Sequence, residues 1–397
     1  MKILIVSQYY YPERFTISDI ASQLVKLGHD VSVITGKPNY CYNEIIPEYV
    51  NVNYEVINGV KVHRVNLYPR KQTRLSIYRN YLSFYFSAKR FVRNFKEKFD
   101  VVLSVSLSPV ISIAPAILYA KKHQVPHALY CLDLWPESTV VTGAVKKDSF
   151  IYKILYRWSK NLYLKCDQIL VSSPSFVSYF HDVLNLKDKL FTYVPQPALL
   201  TKEVRKPAQF HKKYNCVYVG NIGQIQLIEE LASAAKLLKE EKDIMIHIAG
   251  MGALSEQLIN YIKEEKLEDV LKYYGPLHLE DTESLYQSAD ALIVTLKEGG
   301  TVGKTIPNKL IHYLKFKKPI IGVLEGDGKD ILNATGGALL TKQTPKDIAE
   351  SILKMKSLSN EEKAKMGLRN YEYYLKHFSL EVITSQIENQ LESLRKA

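Results

Sequence analysis

Cysteine is scarce in this chain. The four residues Cys41, Cys131, Cys166 and Cys216 form no CxxC pair and show no metal-ligand spacing. A disulfide framework is therefore not expected, and reduced thiols in a cytoplasmic protein are the simple account. Long apolar runs are missing too. The most apolar stretch, SPVISIAPAILYA from residue 108, is broken by Pro109 and Pro115, and no run reaches the roughly 18 apolar residues that a spanning helix needs. The first segment, MKILIVSQYYYPE, has too short an apolar core for a secretory leader and no small-residue cleavage site. It is expected to be a first buried strand. No GxGxxG follows that strand, which disfavours a nicotinamide enzyme. DxD, HExxH and carboxylate–histidine clusters with metal spacing are absent as well, so no required metal and no other cofactor is expected.

What is present points to two domains. A chain of 397 residues exceeds one ordinary core, and domains of roughly 150 to 200 residues are the default. The net charge of +12 is uneven: residues 1–200 hold 25 Lys and Arg against 14 Asp and Glu, the remainder 28 against 27. An acidic partner, nucleic acid or an anionic membrane face, is expected for the first half.

Short apolar runs alternate with helical spacing. KILIVSQYY, then TISDIASQLVKLG with Ile17, Ile20, Ala21 and Leu24 on one face, then HDVSVITG read as one βαβ unit. Further strands are expected at VKVHRVNLY, DVVLSVSL, HALYCLD and QILVSSP, with helices near 76–98, 109–122, 150–165 and 174–184. The proline-rich, basic stretch 193–214 reads as a linker, after which the rhythm restarts at NCVYVGNIG. The expectation is two doubly wound parallel sheets, over 1–195 and 196–375, facing a central cleft. A C-terminal helix over 376–397 would pack back across.

Five segments carry chemistry. In GGTVGKTIPNKLIHYLKFKKP (299–319), Thr305 suits an N-cap and Pro307 a first helical turn. A helix over 306–315 would then aim free amides, with Lys304 and Lys309 beside them, at an anion such as a diphosphate. The plainer reading is an ordinary capped helix with solvated lysines. Gly220 and Gly223 in VYVGNIGQIQLIEEL permit close approach to a phosphate or sugar, or simply make a tight strand-to-helix turn. Asp133 and Glu137 in YCLDLWPES follow a buried strand, where desolvation tunes a carboxyl toward work on an incoming hydroxyl; otherwise Asp133 caps and Trp135 is core. Tyr10, Tyr11, Glu13 and Arg14 in YYYPERFTISD suit the holding of an acceptor molecule.

The fifth segment, Arg70–Lys98, has nine basic residues and one acid. Ile77, Tyr81, Phe84, Ala88, Phe91 and Phe95 form one expected core stripe, widened by Tyr78, Leu82, Tyr85 and Phe86. Arg79, Lys89, Arg90 and Arg93 flank it, as on a helix lying on an anionic membrane. A core helix with a basic solvent face is the alternative.

In their order SQYYYPE, LGHDVSVITGKPNY, DLWPES, YVGNIG and TIPNKLIHYLKFKKPII, these segments resemble the GT-B glycosyltransferases of family 4 over nearly the whole chain. The likeness is greatest to the branch that builds bacterial capsule, exopolysaccharide and O-antigen units. The resemblance implies two Rossmann-like domains, metal-independent transfer with retention, a nucleotide-sugar donor held by the second domain and an acceptor by the first. It places Gly220, Asn221, Gly223, Gln226, Lys304, Thr305, Asn308, Lys309 and His312 at the donor, Asp133 at the catalytic loop, and Tyr10, Tyr11, Glu13, Arg14 and Glu137 at the acceptor. The chain departs from the pattern in several places. Asn221 and Gln226 stand where relatives carry Arg and Lys, Lys304 and His312 where they carry a glutamate pair, and Leu132 where some carry a catalytic-loop histidine. Lys304 and Lys309 are expected to take over the diphosphate.

The expected reaction moves an N-acetylated or deoxy hexose from a UDP-sugar to a polyprenyl-diphosphate-linked acceptor, on the cytoplasmic face of the plasma membrane. A non-hydrolysing UDP-sugar epimerase and a catalytically silent lipid- or glycan-binding partner remain as alternatives. Nucleic acid is not an expected partner, because no recognisable module accompanies the basic stretch.

Overall fold

The computed structural model describes every residue except 41, 72, 142, 200–205, 301 and 397. The chain divides into two compact units, Met1–Leu199 with Leu380–Ala397, and Leu200–Ser379.

The first unit begins β1 (Lys2–Val6), α1 (Thr16–Lys26), β2 (Asp30–Gly36), β3 (Tyr54–Ile57), β4 (Val60–Val65) and α2 (Arg74–Asn94). It continues β5 (Val101–Ser106), α3 (Ala114–His123), β6 (His127–Cys131), α4 (Glu137–Val141), α5 (Phe150–Leu164), β7 (Gln168–Val171), α6 (Ser175–Ser178) and β8 (Leu190–Tyr193). Its eight strands lie in the order β3-β4-β2-β1-β5-β6-β7-β8. All pairs are parallel except β3 with β4, an antiparallel hairpin in which Tyr54 faces His63. Ile3, Ile5, Val101 and Leu103 are fully buried, as a parallel sheet covered on both faces requires.

The second unit runs β9 (Tyr214–Val219), α7 (Ile228–Leu237), β10 (Ile244–Ala249), α8 (Ser255–Glu264), β11 (Leu271–Tyr273), α9 (Leu279–Ser288) and β12 (Ala291–Thr295). It ends with α10 (Asn308–Leu314), β13 (Ile320–Val323), α11 (Asp327–Thr335), β14 (Ala338–Leu340), α12 (Pro345–Ser357) and α13 (Asn360–His377). Its sheet is parallel throughout, in the order β11-β10-β9-β12-β13-β14. In each unit the first strand is a point where the winding direction reverses, the place at which open α/β sheets leave a crevice beyond their strand ends.

The final helix, α14 (Leu380–Lys396), returns to the first unit. Leu380, Ile383, Ile387 and Leu391 recur on one helical face and join the core formed by α1, β1, β2 and β5. His29 and Glu388 pair at 2.6 Å, and Gln168 donates to Gln390 at 2.6 Å.

Two expected helices shift. The segment expected to be helical over 306–315 is helical only over Asn308–Leu314, with extended Pro307 as its N-cap. Ile306 precedes a proline, which disfavours the helical region for it, so the helix cannot begin there. Thr305 is consequently not the cap, and Pro307 lies outside the first turn. In α2, Ser76, Asn80, Phe84, Ala88 and Val92 make the buried stripe. Tyr78, Leu82 and Phe86, expected to widen it, are exposed. Asn80 takes a core position because its amide is satisfied there: it donates to Asn39 Oδ1 and the Tyr68 carbonyl and accepts from Gln8.

Candidate active site

The second unit gathers its glycine loops at the reversal beside β9. The loop Gly220–Gly223 follows β9, and Gly250 and Gly252 follow β10. A Cβ at Gly250 would lie 1.8 Å from the Gly220 carbonyl oxygen, at a φ of +139°. Only glycine permits these two backbones to meet. Across the reversal, α10 is tied to β9: the Val219 amide donates to the Tyr313 hydroxyl at 2.9 Å. One helical turn earlier Lys309 reaches the same loop. Its ammonium donates to the Tyr218 hydroxyl at 2.7 Å and lies 4.0 Å from that ring's centroid. A Cβ on Gly220 would sit 3.2 Å from both Cε and Nζ of Lys309.

No carboxylate pairs with Lys309 among the described residues, and burial pulls its ammonium down to about 7. The site is one poorly hydrated amine, about half charged near pH 7, over a bare backbone loop. Such a place favours an incoming anion. His312 lies a turn further along α10 and is held neutral by burial, at about 4. Asn221 donates to Gln226 Oε1 at 3.0 Å, folding the glycine loop on itself. Lys304 is exposed on a short turn whose backbone packs on Gly326. Thr305 is partly buried and Asn308 is exposed.

In the first unit, a cavity of about 320 Å³ opens beyond β5 and β6. Ser108 after β5, Asp133 and Trp135 after β6, Ser138 and Thr139 in α4, Ala144, and Arg70, Arg74, Ile77, Tyr78 and Tyr81 line it. The Leu134 amide donates to Asp133 at 3.0 Å, and the Ser108 and Ser138 hydroxyls also bond to the carboxylate. Burial outweighs those bonds and raises the carboxyl to about 6. Its charge can therefore be lost or regained near neutrality. The Trp135 indole donates to Ser108 Oγ, fixing that hydroxyl.

The expected acceptor residues do not line this cavity. Tyr10 is buried in the core of the first unit, with an unbonded hydroxyl. Glu13 is buried and accepts the amides of Asn39 and Tyr40, closing that loop. Glu137 is buried and accepts the Tyr152 hydroxyl at 2.6 Å, joining α4 to α5. The carboxylates of Glu13 and Glu137 are thus already satisfied by backbone or hydroxyl donors, and together with Tyr10 they lie outside this cavity. Tyr11 is partly buried, and Arg14 is exposed outside the cavity.

Sequence reasoning missed Arg70, Arg74 and Tyr81. The available signal was electrostatic: basic residues crowd the N-terminus of α2, whose first turn has no acid, against the preference of a helix dipole. Arg79, Arg90 and Arg93 are exposed, whereas Lys89 folds onto the Tyr85 ring at 4.7 Å. Helix α5 also shows an outward apolar face, with Phe150, Ile151, Ile154 and Trp158 exposed. Among the described residues no helix is long and apolar enough to cross a membrane, and no group of three or more His, Cys, Asp or Glu gathers as a metal site would.

Two family models match: "Glycosyl transferase 4-like domain" over residues 14–196 and "Glycosyl transferases group 1" over residues 201–373. Together they account for most of the chain, which belongs to the GT-B glycosyltransferases. A probable glycosyltransferase WbjE of Pseudomonas aeruginosa is 30% identical over 240 residues, 57% of this chain and 58% of the relative. The match thus spans little more than half of that relative's length. Among solved structures, sucrose-phosphate synthase from Thermosynechococcus elongatus superposes with a TM-score of 0.76 at 14% identity, over 99% of both chains. HepE from Anabaena, solved with UDP and glucose, gives 0.69 at 12% identity, over 99% of this chain and 100% of its own. At such identities these likenesses concern the fold.

Proposed function

We propose that this glycosyltransferase moves a sugar from a UDP-sugar to a polyprenyl-diphosphate-linked acceptor, with retention, without a metal, and at an anionic membrane surface. The observation that carries the reading is Lys309, a half-buried cation without a carboxylate partner among the described residues, seated over the Gly220 loop. A donor diphosphate supplies the missing negative charge. Gly220 and Gly223 let its oxygens approach the backbone, and Asn221, Gln226, Lys304, Thr305, Asn308 and His312 are assigned to the rest of the donor. HepE of the same fold, solved with UDP-glucose, supports this choice of donor.

In the step itself, the bond between the anomeric carbon and the phosphate oxygen breaks, and its electron pair leaves with the UDP. Lys309 opposes the charge that grows there, which lowers the barrier because the ammonium is already in place. The acceptor hydroxyl oxygen forms the new bond on the face that the UDP leaves, as retention requires, and its proton is assigned to Asp133. The exposed arginines of α2 and the apolar face of α5 rest on the membrane that carries the acceptor. The N-acetylated or deoxy identity of the sugar rests on the resemblance alone.

A screen of UDP-, GDP- and dTDP-sugars for thermal stabilisation, then for transfer to lipid-diphosphate acceptors, tests the reading. Stabilisation by UDP-sugars with acceptor-dependent turnover is expected. Conversion of a UDP-sugar without any acceptor would replace transfer by epimerisation.

A further inference from the structure

The cavity in the first unit contains two arginines that no carboxylate pairs with among the described residues, Asp133 being the one acid in its lining. Arg70 is partly buried between two rings, 4.8 Å from the Tyr40 centroid and 5.4 Å from that of Tyr81. Its Nη1 donates to two neutral hydroxyls, Tyr9 at 3.1 Å and Tyr81 at 2.9 Å. Neither Arg70 nor Arg74 forms an ion pair among the described residues. Arg74 is the first residue of α2, one helical turn from Tyr78, and no acid occupies that turn. A guanidinium at this end opposes the helix dipole. Two such charges, one immobilised by aromatic stacking, match a phosphate or diphosphate that accepts two planar forks.

Asp133 lines the same cavity, so one ligand can present a phosphate to the arginines and a hydroxyl to the carboxylate. Beside the arginines α2 exposes apolar surface, Leu75 next to Arg74 in the chain and Tyr78 in the cavity lining itself. Cations with apolar side chains beside them fit an amphiphile with a sugar, a phosphate and a hydrocarbon tail.

We propose that Arg70 and Arg74 form a subsite for the diphosphate of the lipid-linked acceptor, holding it so that the sugar hydroxyl reaches Asp133. The assignment rests on the transfer reading given above and names its acceptor anchor. Selection then depends on the phosphate more than on the sugar, since two guanidiniums discriminate an anionic tether from a neutral glycoside.

Binding is measured by calorimetry with geranyl diphosphate, geraniol and inorganic pyrophosphate, each with saturating UDP to fill the donor site. Geranyl diphosphate is expected to bind and geraniol to show no heat. Arg74→Gln weakens geranyl diphosphate at least tenfold and leaves UDP affinity unchanged; Arg70→Gln does the same, with its folding checked by circular dichroism. Vesicles of phosphatidylglycerol form the control, and both variants retain most of their vesicle binding. The subsite is overturned if both variants bind geranyl diphosphate as the native protein does, if UDP abolishes that binding, or if vesicle binding alone falls. Failure of UDP to bind at all defeats the donor reading separately, because geranyl diphosphate is also titrated without UDP.

Discussion

Replacing Lys309 by methionine separates a binding cation from a structural one. Burial lowers the folded pKa to about 7 from 10.5, whereas the unfolded chain keeps the ordinary value. The sign follows: stability is undiminished above about pH 10.5 and declines as pH falls toward 7, because the unfolded chain binds the proton more readily. Three to four pK units correspond to ~4 kcal/mol at pH 7, an upper figure since water reaches part of the side chain. Lys309→Met removes that penalty and forfeits one hydrogen bond to Tyr218, worth about 1 kcal/mol. The Tyr218 hydroxyl keeps its bond to the Asn221 carbonyl. The variant is therefore expected to be at least as stable as the native protein in urea at pH 7, and its UDP affinity to fall.

Truncating one partner of a buried charge pair costs about 2–5 kcal/mol, or roughly 30-fold and upward. UDP binding also recharges the lysine, so complex formation takes up about half a proton near pH 7 and close to one near pH 8. Isothermal titration in buffers of different ionisation enthalpy reads this uptake, which disappears in the methionine variant. A variant that is less stable, binds UDP normally and shows the same uptake refutes the reasoning.

Asp133 offers the opposite combination with a carboxyl. Its pKa of about 6 exceeds the unfolded value, so its stability deficit is absent below about pH 4 and builds up to pH 6. Asp133→Asn is expected to match or exceed native stability at pH 7 while losing about 10²- to 10⁴-fold in turnover; native turnover rises with pH through about 6, and a flat profile counts against the base. Gly250→Ala places a Cβ against the Gly220 carbonyl and is expected to cost about 1–3 kcal/mol in urea and to weaken UDP; native affinity would detach the glycine contact from the donor. The triple change of Arg79, Arg90 and Arg93 to Gln is expected to reduce binding to anionic vesicles by roughly 100-fold at low salt, at about 1 kcal/mol for each charge, with UDP affinity retained. Unchanged vesicle binding would move the membrane face elsewhere.

The sheets were legible because parallel strands buried on both faces read as short continuous apolar runs, as in KILIV and ALIVT. The hairpin strand β3 was not, since YEVI alternates half-exposed residues at a sheet edge. Burial of individual polar groups was the main loss. Glu13 and Glu137 look like open carboxylates in sequence, and only the fold shows their donors. Proline 307 was read as an early helical residue, although its effect falls on Ile306. Leu227, at a φ of +51°, separates the short turn Gln224–Gln226 from α7, which begins at Ile228. Lys309 was legible as a cation near a glycine turn. Its company with Tyr218 and Gly220 needed the crossing from β9 to α10. Arg70 and Arg74 had been absorbed into the membrane stripe, since a stripe assignment asks about faces and not about the ends of a helix.

Helix α14 has a consequence for the order in which the chain matures. Four of its residues complete a hydrophobic layer whose other members all lie in the first half of the chain, from Ile3 and Ile5 to Val194. At about 5–20 residues per second, synthesis of the intervening unit Leu200–Ser379 takes roughly 10 to 40 s. During that interval the earlier-made half has an uncovered apolar surface beside α1. The half that emerges later is therefore able to finish folding first.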